Sequence, residues 1–281
     1  MKTVFTLLCI SAATAAFAQP KLLNQALVTT KTTIVAPEED DAPQANSTGA
    51  NGEEMRVMRF GGDGETTTTT WLKNALVKTY SESETSRTTV IRDNTKKLTT
   101  TIMEMMGRKM GFYATDEDQE QMRKQMDSMM RSRNDAARNN SNETPVVDIQ
   151  YLDQTKKIAG YECKRALIIS KRGTRSDSTL VWYTPDVKLQ GVASTGGALG
   201  GFGGMSPQVG TGGFDKLEGF PMQYERTMNR GRKMTVQVTK LLTDKEIADK
   251  EFEIPKDVDI KPMKDMQNGG RPGTIQMRIG S

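Results

Sequence analysis

Apolar and polar positions alternate with period two over most of this chain, and the period changes clearly only once. Residues 25–35 (QALVTTKTTIV) are rich in β-branched side chains, which fit a pleated, half-buried surface, and they predict a first strand. From Glu65 to Tyr113 the signal recurs in Thr66–Leu72, Ala75–Ser81, Thr85–Arg92, Lys97–Met105 and Met110–Tyr113. The connections are short and polar, such as Asp93-Asn94-Thr95-Lys96, so they suit an antiparallel meander and cannot hold a parallel crossover. Strands resume at Pro145–Leu152, Gly160–Ser170 and Ser178–Thr184. In Leu180-Val181-Trp182-Tyr183 both faces are apolar, which predicts a central strand covered on both sides. Met222, Tyr224, Arg226 and Met228, then Met234, Val236 and Val238, alternate with polar neighbours, and Asn229-Arg230-Gly231-Arg232 forms the hairpin turn between them.

The change of period begins at Thr115-Asp116-Glu117-Asp118, which resembles a capping box with carboxylates at the positive end of a helix. Met122, Met126, Met129 and Met130 follow at i, i+4, i+7 and i+8, predicting one amphipathic helix over 116–133. Its methionine face either fills core or forms a pliable wall of a hydrophobic cavity, with Trp182 of the covered strand opposite. Copper coordination by these methionines would lack histidine partners, so no metal or cofactor site is expected.

Two stretches are too polar or too glycine-rich to bury a core. They are the loop 36–53, opened by Pro37-Glu38-Glu39-Asp40-Asp41, and the loop 191–213, which holds ten glycines. The acidic run lacks the alternating spacing and turn glycine of a calcium loop. The glycine loop lacks a following Lys-Ser/Thr and any G-x-G-x-x-G between strand and helix, so phosphate binding is unsupported. It reads as a flexible excursion or as a lid, with Leu199, Phe202 and Met205 as apolar contacts. Glu246–Lys250 predicts a helical turn, and residues 264–281 a weakly ordered tail. Asp177-Ser178-Thr179 and Asp127-Ser128-Met129 match a short O-glycosylation acceptor pattern.

Composition then narrows the setting. Met1-Lys2, an apolar run Val4–Ile10 and small residues ending Ala16-Phe17-Ala18 make residues 1–18 a secretory signal peptide, leaving 19–263 as a single β domain. Cys9 sits in the apolar run, so no lipid anchor is expected, and no later window is apolar enough to span a membrane. The expected location is periplasmic or secreted. A formal charge of +4 with mixed signs gives no case for nucleic acid. Cys163 is the one cysteine outside the leader, and it reads as a small buried hydrophobe. There is no histidine, which excludes Ser-His-Asp and Cys-His catalysis and imidazole-ligated zinc or haem.

Thr155-Lys156-Lys157-Ile158-Ala159-Gly160-Tyr161-Glu162-Cys163-Lys164 resembles the signature of an exported bacterial family, the DUF family numbered 4412. Val181-Trp182-Tyr183-Thr184, Gly219-Phe220-Pro221-Met222-Gln223-Tyr224 and Phe252-Glu253-Ile254-Pro255 fit in the same order. The Gly-Phe-Pro piece also resembles a neighbouring family named for Gly-Leu-Pro-Gly-Leu-Ile, from which Phe220 and Met222 depart. The first resemblance implies a fold similar to the lipoprotein carrier LolA: mainly β, a strongly curved antiparallel sheet or half-open barrel, with the amphipathic helix on its concave face. It brings no catalytic residues. The expectation is a non-enzymatic exported protein holding a lipid or acyl chain. The alternatives are an envelope scaffold with a filled core that contacts envelope proteins, and a carboxylate-based hydrolase.

Overall fold

The computed structural model describes residues 21–35, 47–48, 54–55, 64–131, 146–173, 175–189, 213–228 and 231–268. The expected leader, most of both loops, and Leu199, Phe202 and Met205 lie outside the described residues. The first strands are β1 (Lys21–Leu23) and β2 (Gln25–Val35), then a small ribbon of β3 (Ser47–Thr48) and β4 (Glu54–Met55). The meander follows as β5 (Gly64–Lys73), β6 (Leu76–Ser83), β7 (Ser86–Asp93), β8 (Leu98–Met105) and β9 (Arg108–Thr115), each antiparallel to the one before. After helix α1 (Asp116–Arg131) come β10 (Val146–Ile158), β11 (Tyr161–Arg172), β12 (Arg175–Thr184), β13 (Val187–Leu189), β14 (Phe220–Thr227), β15 (Lys233–Leu242), β16 (Ile260–Pro262) and α2 (Met263–Asn268).

Twelve strands form one curved sheet, not closed into a barrel, in the order β10-β11-β12-β14-β15-β2-β5-β6-β7-β8-β9-β16. The first long strand therefore joins the two halves, pairing with β15 on one side and β5 on the other. Strand alternation turns Ala26, Val28, Thr30, Thr32 and Ile34 of β2 to one buried face, which we call inner. Two buried clusters pack against the sheet. The first holds Ala26, Val28, Leu72, Val77, Cys163, Met222 and Leu241, and is capped by Leu23, Val187 and Leu189 of the parallel β1–β13 pair. The second holds Ile34, Ala166, Ile168, Val181, Tyr183, Tyr224 and Val236, with Leu217 over it.

At β7 the buried face switches. Ile91, Thr100 and Ile102 lie on the outer face, opposite to Val77, Thr79 and Ser81, and are buried. The C-terminal segment crosses this face as a strap. Lys73 Nζ donates to the Ile247 carbonyl (2.8 Å) and to Asp249 (2.6 Å), Lys109 pairs with Asp257 (2.7 Å), and β16 runs parallel to β9. The helical turn expected at Glu246–Lys250 lies further on, as a 3-10 turn at Asp249–Phe252 whose Phe252 is buried. Gly111 admits the strap closely, because a Cβ there would stand 2.2 Å from Ile260 Cδ1.

Two expectations are corrected. The helix spans Asp116–Arg131, shorter than expected, and its described contacts do not support a plug lying along the sheet. Among the described residues its side-chain anchors to the sheet are polar and lie in its first turn. Thr115 and Asp118 cap each other reciprocally, Arg92 donates twice to Asp116 (2.5 and 2.9 Å), and Gln119 donates to Thr99. Beyond that turn Gln121, Lys124, Gln125 and Ser128 are exposed. Strand β12 is covered as expected, but it is third from the β10 edge, while the helix leaves β9 near the other edge.

The Asp116 carboxyl is held below the usual carboxylate range, first by its hydrogen bonds from Arg92. A group depressed in the folded state stabilises above its unfolded pKa, and that contribution is lost as pH falls through the folded value. With its side chain 44% exposed, screening limits the gain to about 1 kcal/mol. In urea titrations Asp116→Asn should therefore be about 1 kcal/mol less stable than wild type at pH 7. The gap should close in acid, as pH falls through the depressed range of the folded carboxyl; a gap independent of pH would point to another cause.

The signature stretch is a two-residue hairpin turn between β10 and β11. Ile158 pairs with Tyr161, and both Ala159 (φ 50°) and Gly160 (φ 88°) are left-handed. Alanine carries strain there, so Ala159→Gly should raise stability by about 0.5–1 kcal/mol in the same assay.

Candidate functional site

The inner face between the clusters is polar as well as apolar. Thr30, Thr32, Thr68, Thr70, Thr79 and Ser81 are all buried on β2, β5 and β6. Thr68 and Ser81 hydroxyls bond each other at 3.0 Å, and Thr30 Oγ1 reaches the Thr68 carbonyl at 3.5 Å. Thr32 Oγ1 is buried with no hydrogen-bond partner, between Val236 and Thr66 in the register. An unpaired buried hydroxyl costs free energy that a methyl of similar shape does not. Thr32→Val should be neutral or stabilising by up to about 1 kcal/mol. A clear loss in chemical denaturation would mean that a bound water or ligand satisfies the hydroxyl.

Beyond β6 the first turn of α1 meets the inner face at Arg92 and Thr99, and the strap covers the outer face. The rows Thr88–Met103–Met110 and Val90–Thr101–Phe112 run across β7, β8 and β9. Val90, Met103 and Phe112 are half-buried and Met110 is exposed. These side chains form a shallow, half-exposed apolar trough on the inner face. Alternating short strands of Thr and Met gave no hint of it, since the sequence does not show where the strap lies.

Of the residues expected to line a cavity, Met122 is half-buried on α1. The side chains of Met126, Met129 and Met130 lie outside the described residues. Trp182 belongs to a different cluster. Its ring lies under Lys156 Nζ (4.3 Å) and beside the Arg165 guanidinium (5.5 Å), and its flank packs against the first core cluster. Lys156 donates to Gln223 at 2.7 Å, and Arg165 donates to Gln154. Burial holds the Lys156 ammonium below its usual range. Sequence placed Trp182 on an apolar strand but could not show that two cations, rather than the helix, cover it.

Other chemical groups are absorbed by structure. Cys163 is fully buried, and burial pushes its thiol up to about 11, so it is not a poised nucleophile. Burial also pushes Tyr183 and Tyr224 up to about 12. Asp93, Asp118 and Asp257 are held low by the backbone amide of Lys96, the backbone amide of Thr115 and the Lys109 ammonium respectively. Among the described residues no group of three or more Cys, Asp or Glu is placed to share a metal ion. No described helix is long and apolar enough to cross a membrane. Ser128 and Ser178 of the two acceptor patterns are exposed.

The two best-formed depressions among the described residues are small. One, of about 130 Å³, lies between the β6–β7 and β8–β9 turns, lined by Ser83, Ser86, Arg87, Glu104 and Met106 among others. The other, of about 100 Å³, lies beside the strap, against Tyr80, Ile102, Pro255 and Val258. Arg87 borders both and pairs with Glu82 at 2.8 Å and Glu104 at 3.6 Å.

No curated protein matches this chain. Two solved structures, described as PNGF-II in C2 and in P21 space groups, are similar at 13% and 11% identity with TM-scores of 0.34 and 0.33. The matches cover 87% of this chain but only 32% and 33% of those, so the chain spans about a third of their length. The hairpin signature, the Val-Trp-Tyr strand and the Gly-Phe-Pro entry to β14 all fall inside a longer match to a family model. That model, the domain of unknown function DUF4412, covers residues 54–258, and the chain belongs to this family.

Proposed function

We propose that this protein is an exported, non-enzymatic interaction protein, acting through its surface and loops in the periplasm or outside the cell. The observation that carries the reading is the pair of packed core clusters, where Leu72, Val181, Cys163 and Ala166 have no solvent exposure at all. Pockets for small molecules usually enclose several hundred Å³. The depressions here are far smaller and border charged side chains. The displaced carboxylates serve a turn, a helix start and an ion pair, which supports a role without catalysis. Export rests on the charged, apolar and small-residue pattern of residues 1–18. The loops 36–53 and 191–213 are the proposed contact regions. Chemical crosslinking in envelope extracts, with the full chain and with 191–213 deleted, tests this. The reading expects specific partners that are lost on deletion, and unchanged partners would remove the loop from the account.

A second reading, a LolA-like carrier of a lipid or acyl chain, is favoured by the trough of Val90, Met103, Met110 and Phe112. A fluorescent fatty-acid analogue should then bind saturably, and Met103→Lys should abolish binding. Absence of saturable binding would end this reading.

A further inference from the structure

An open sheet has two edges, and here they differ. The β16 edge is three residues long, ends in Pro262 and runs directly into α2, so little backbone is offered to a partner. The β10 edge is 13 residues long and, among the described residues, pairs on one side only, with β11. A register shift between Leu152 and Thr155 interrupts it, leaving seven regular residues, Val146–Leu152. Those seven hold three of the eight large apolar side chains exposed among the described residues: Val146 (68%), Tyr151 (43%) and Leu152 (37%). A long, exposed, apolar edge is a template for another strand.

The sequence of this edge points to its occupant. Val146-Val147-Asp148-Ile149-Gln150-Tyr151-Leu152 reads apolar, apolar, polar, apolar, polar, apolar, apolar, which is the same in both directions about Ile149. We propose that β10 pairs antiparallel with β10 of a second copy, about a twofold axis at Ile149. In that register Val146 stands opposite Leu152 of the second copy, Val147 opposite Tyr151, and Ile149 opposite itself. Asp148 meets Gln150, whose amide can donate to the carboxylate, so no like charges are opposed. Alternation places Val146 and Leu152 on one face of the joined sheet, and Val147, Ile149 and Tyr151 on the other. A parallel pairing in register would set Asp148 against Asp148. The irregularity after Leu152 ends the regular ladder and keeps the contact finite, and the twofold axis closes the assembly as a dimer.

Sedimentation equilibrium and native mass spectrometry of the purified full chain test this. Wild type should show a concentration-dependent dimer. V146K/L152K and V146E/L152E should each raise the dimer dissociation constant roughly tenfold or more. Mixing the two should restore a heterodimer, because each Lys then faces a Glu. Both positions are exposed, so the variants should keep the wild-type circular dichroism. Ile149→Cys should form an interchain disulfide on mild oxidation, while Asp153→Cys should not. A monomer at every concentration, a dimer indifferent to the double lysine variant, or association only with an unrelated strand-bearing protein would each overturn the proposal.

Discussion

Leu72→Ala should lose about 2–5 kcal/mol in equilibrium denaturation, the largest expected effect of any single truncation here. Leu72 has no exposure and belongs to the first cluster. On β5 it stands between Ala26 of β2 and Val77 of β6 in the register, at the join between the two halves of the sheet. Truncation removes apolar contact and leaves a cavity whose backbone walls are hydrogen-bonded strands, so collapse is restricted. The check is a shift of the denaturation midpoint with an unchanged m-value. A loss below about 1 kcal/mol would mean that the interior gives way easily, contrary to a filled core.

Gly219→Ala should cost about 2–3 kcal/mol although it only adds a methyl group. A Cβ at Gly219 would stand 2.1 Å from the Thr184 carbonyl oxygen and 2.9 Å from Tyr183 Cδ2. The first of these is backbone, held by the pairing of Thr184 with Phe220 that opens the β12–β14 ladder. Relief requires moving a fully buried strand end, with Phe220 and Met222 of the core beside it. Gly64→Ala is the matched control, because nothing lies within 4 Å of its Cβ position, and it should change stability little. Equal effects of the two substitutions would show that loss of glycine flexibility, not the close approach, governs the site.

These positions show how far the sequence could be read. Period-two alternation placed the meander and the β14–β15 hairpin, because these depend on neighbours in the chain. The pairing of β2 with β15 was not legible, since it joins residues about 200 apart and leaves no local mark. Amphipathic spacing found α1 but not its surroundings. What fixes α1 is Arg92, a strand residue whose partner Asp116 only the folded register identifies. The strap was missed for a similar reason. Residues 247–262 carry few apolar positions, and two lysines on distant strands hold them in place. The trough on β7–β9 was missed with it, since nothing local in the sequence marks which face the strap takes. The buried reading of Cys163 was legible, because a lone cysteine in an apolar strand has few other uses.

The central claim is that the inner face is occupied by the protein's own side chains. Native mass spectrometry of protein isolated from the envelope without detergent, paired with organic extraction, tests it most directly. The account predicts a mass that the polypeptide and any covalent modification explain in full, with no extractable lipid. A stoichiometric acyl lipid, released on extraction, would contradict it.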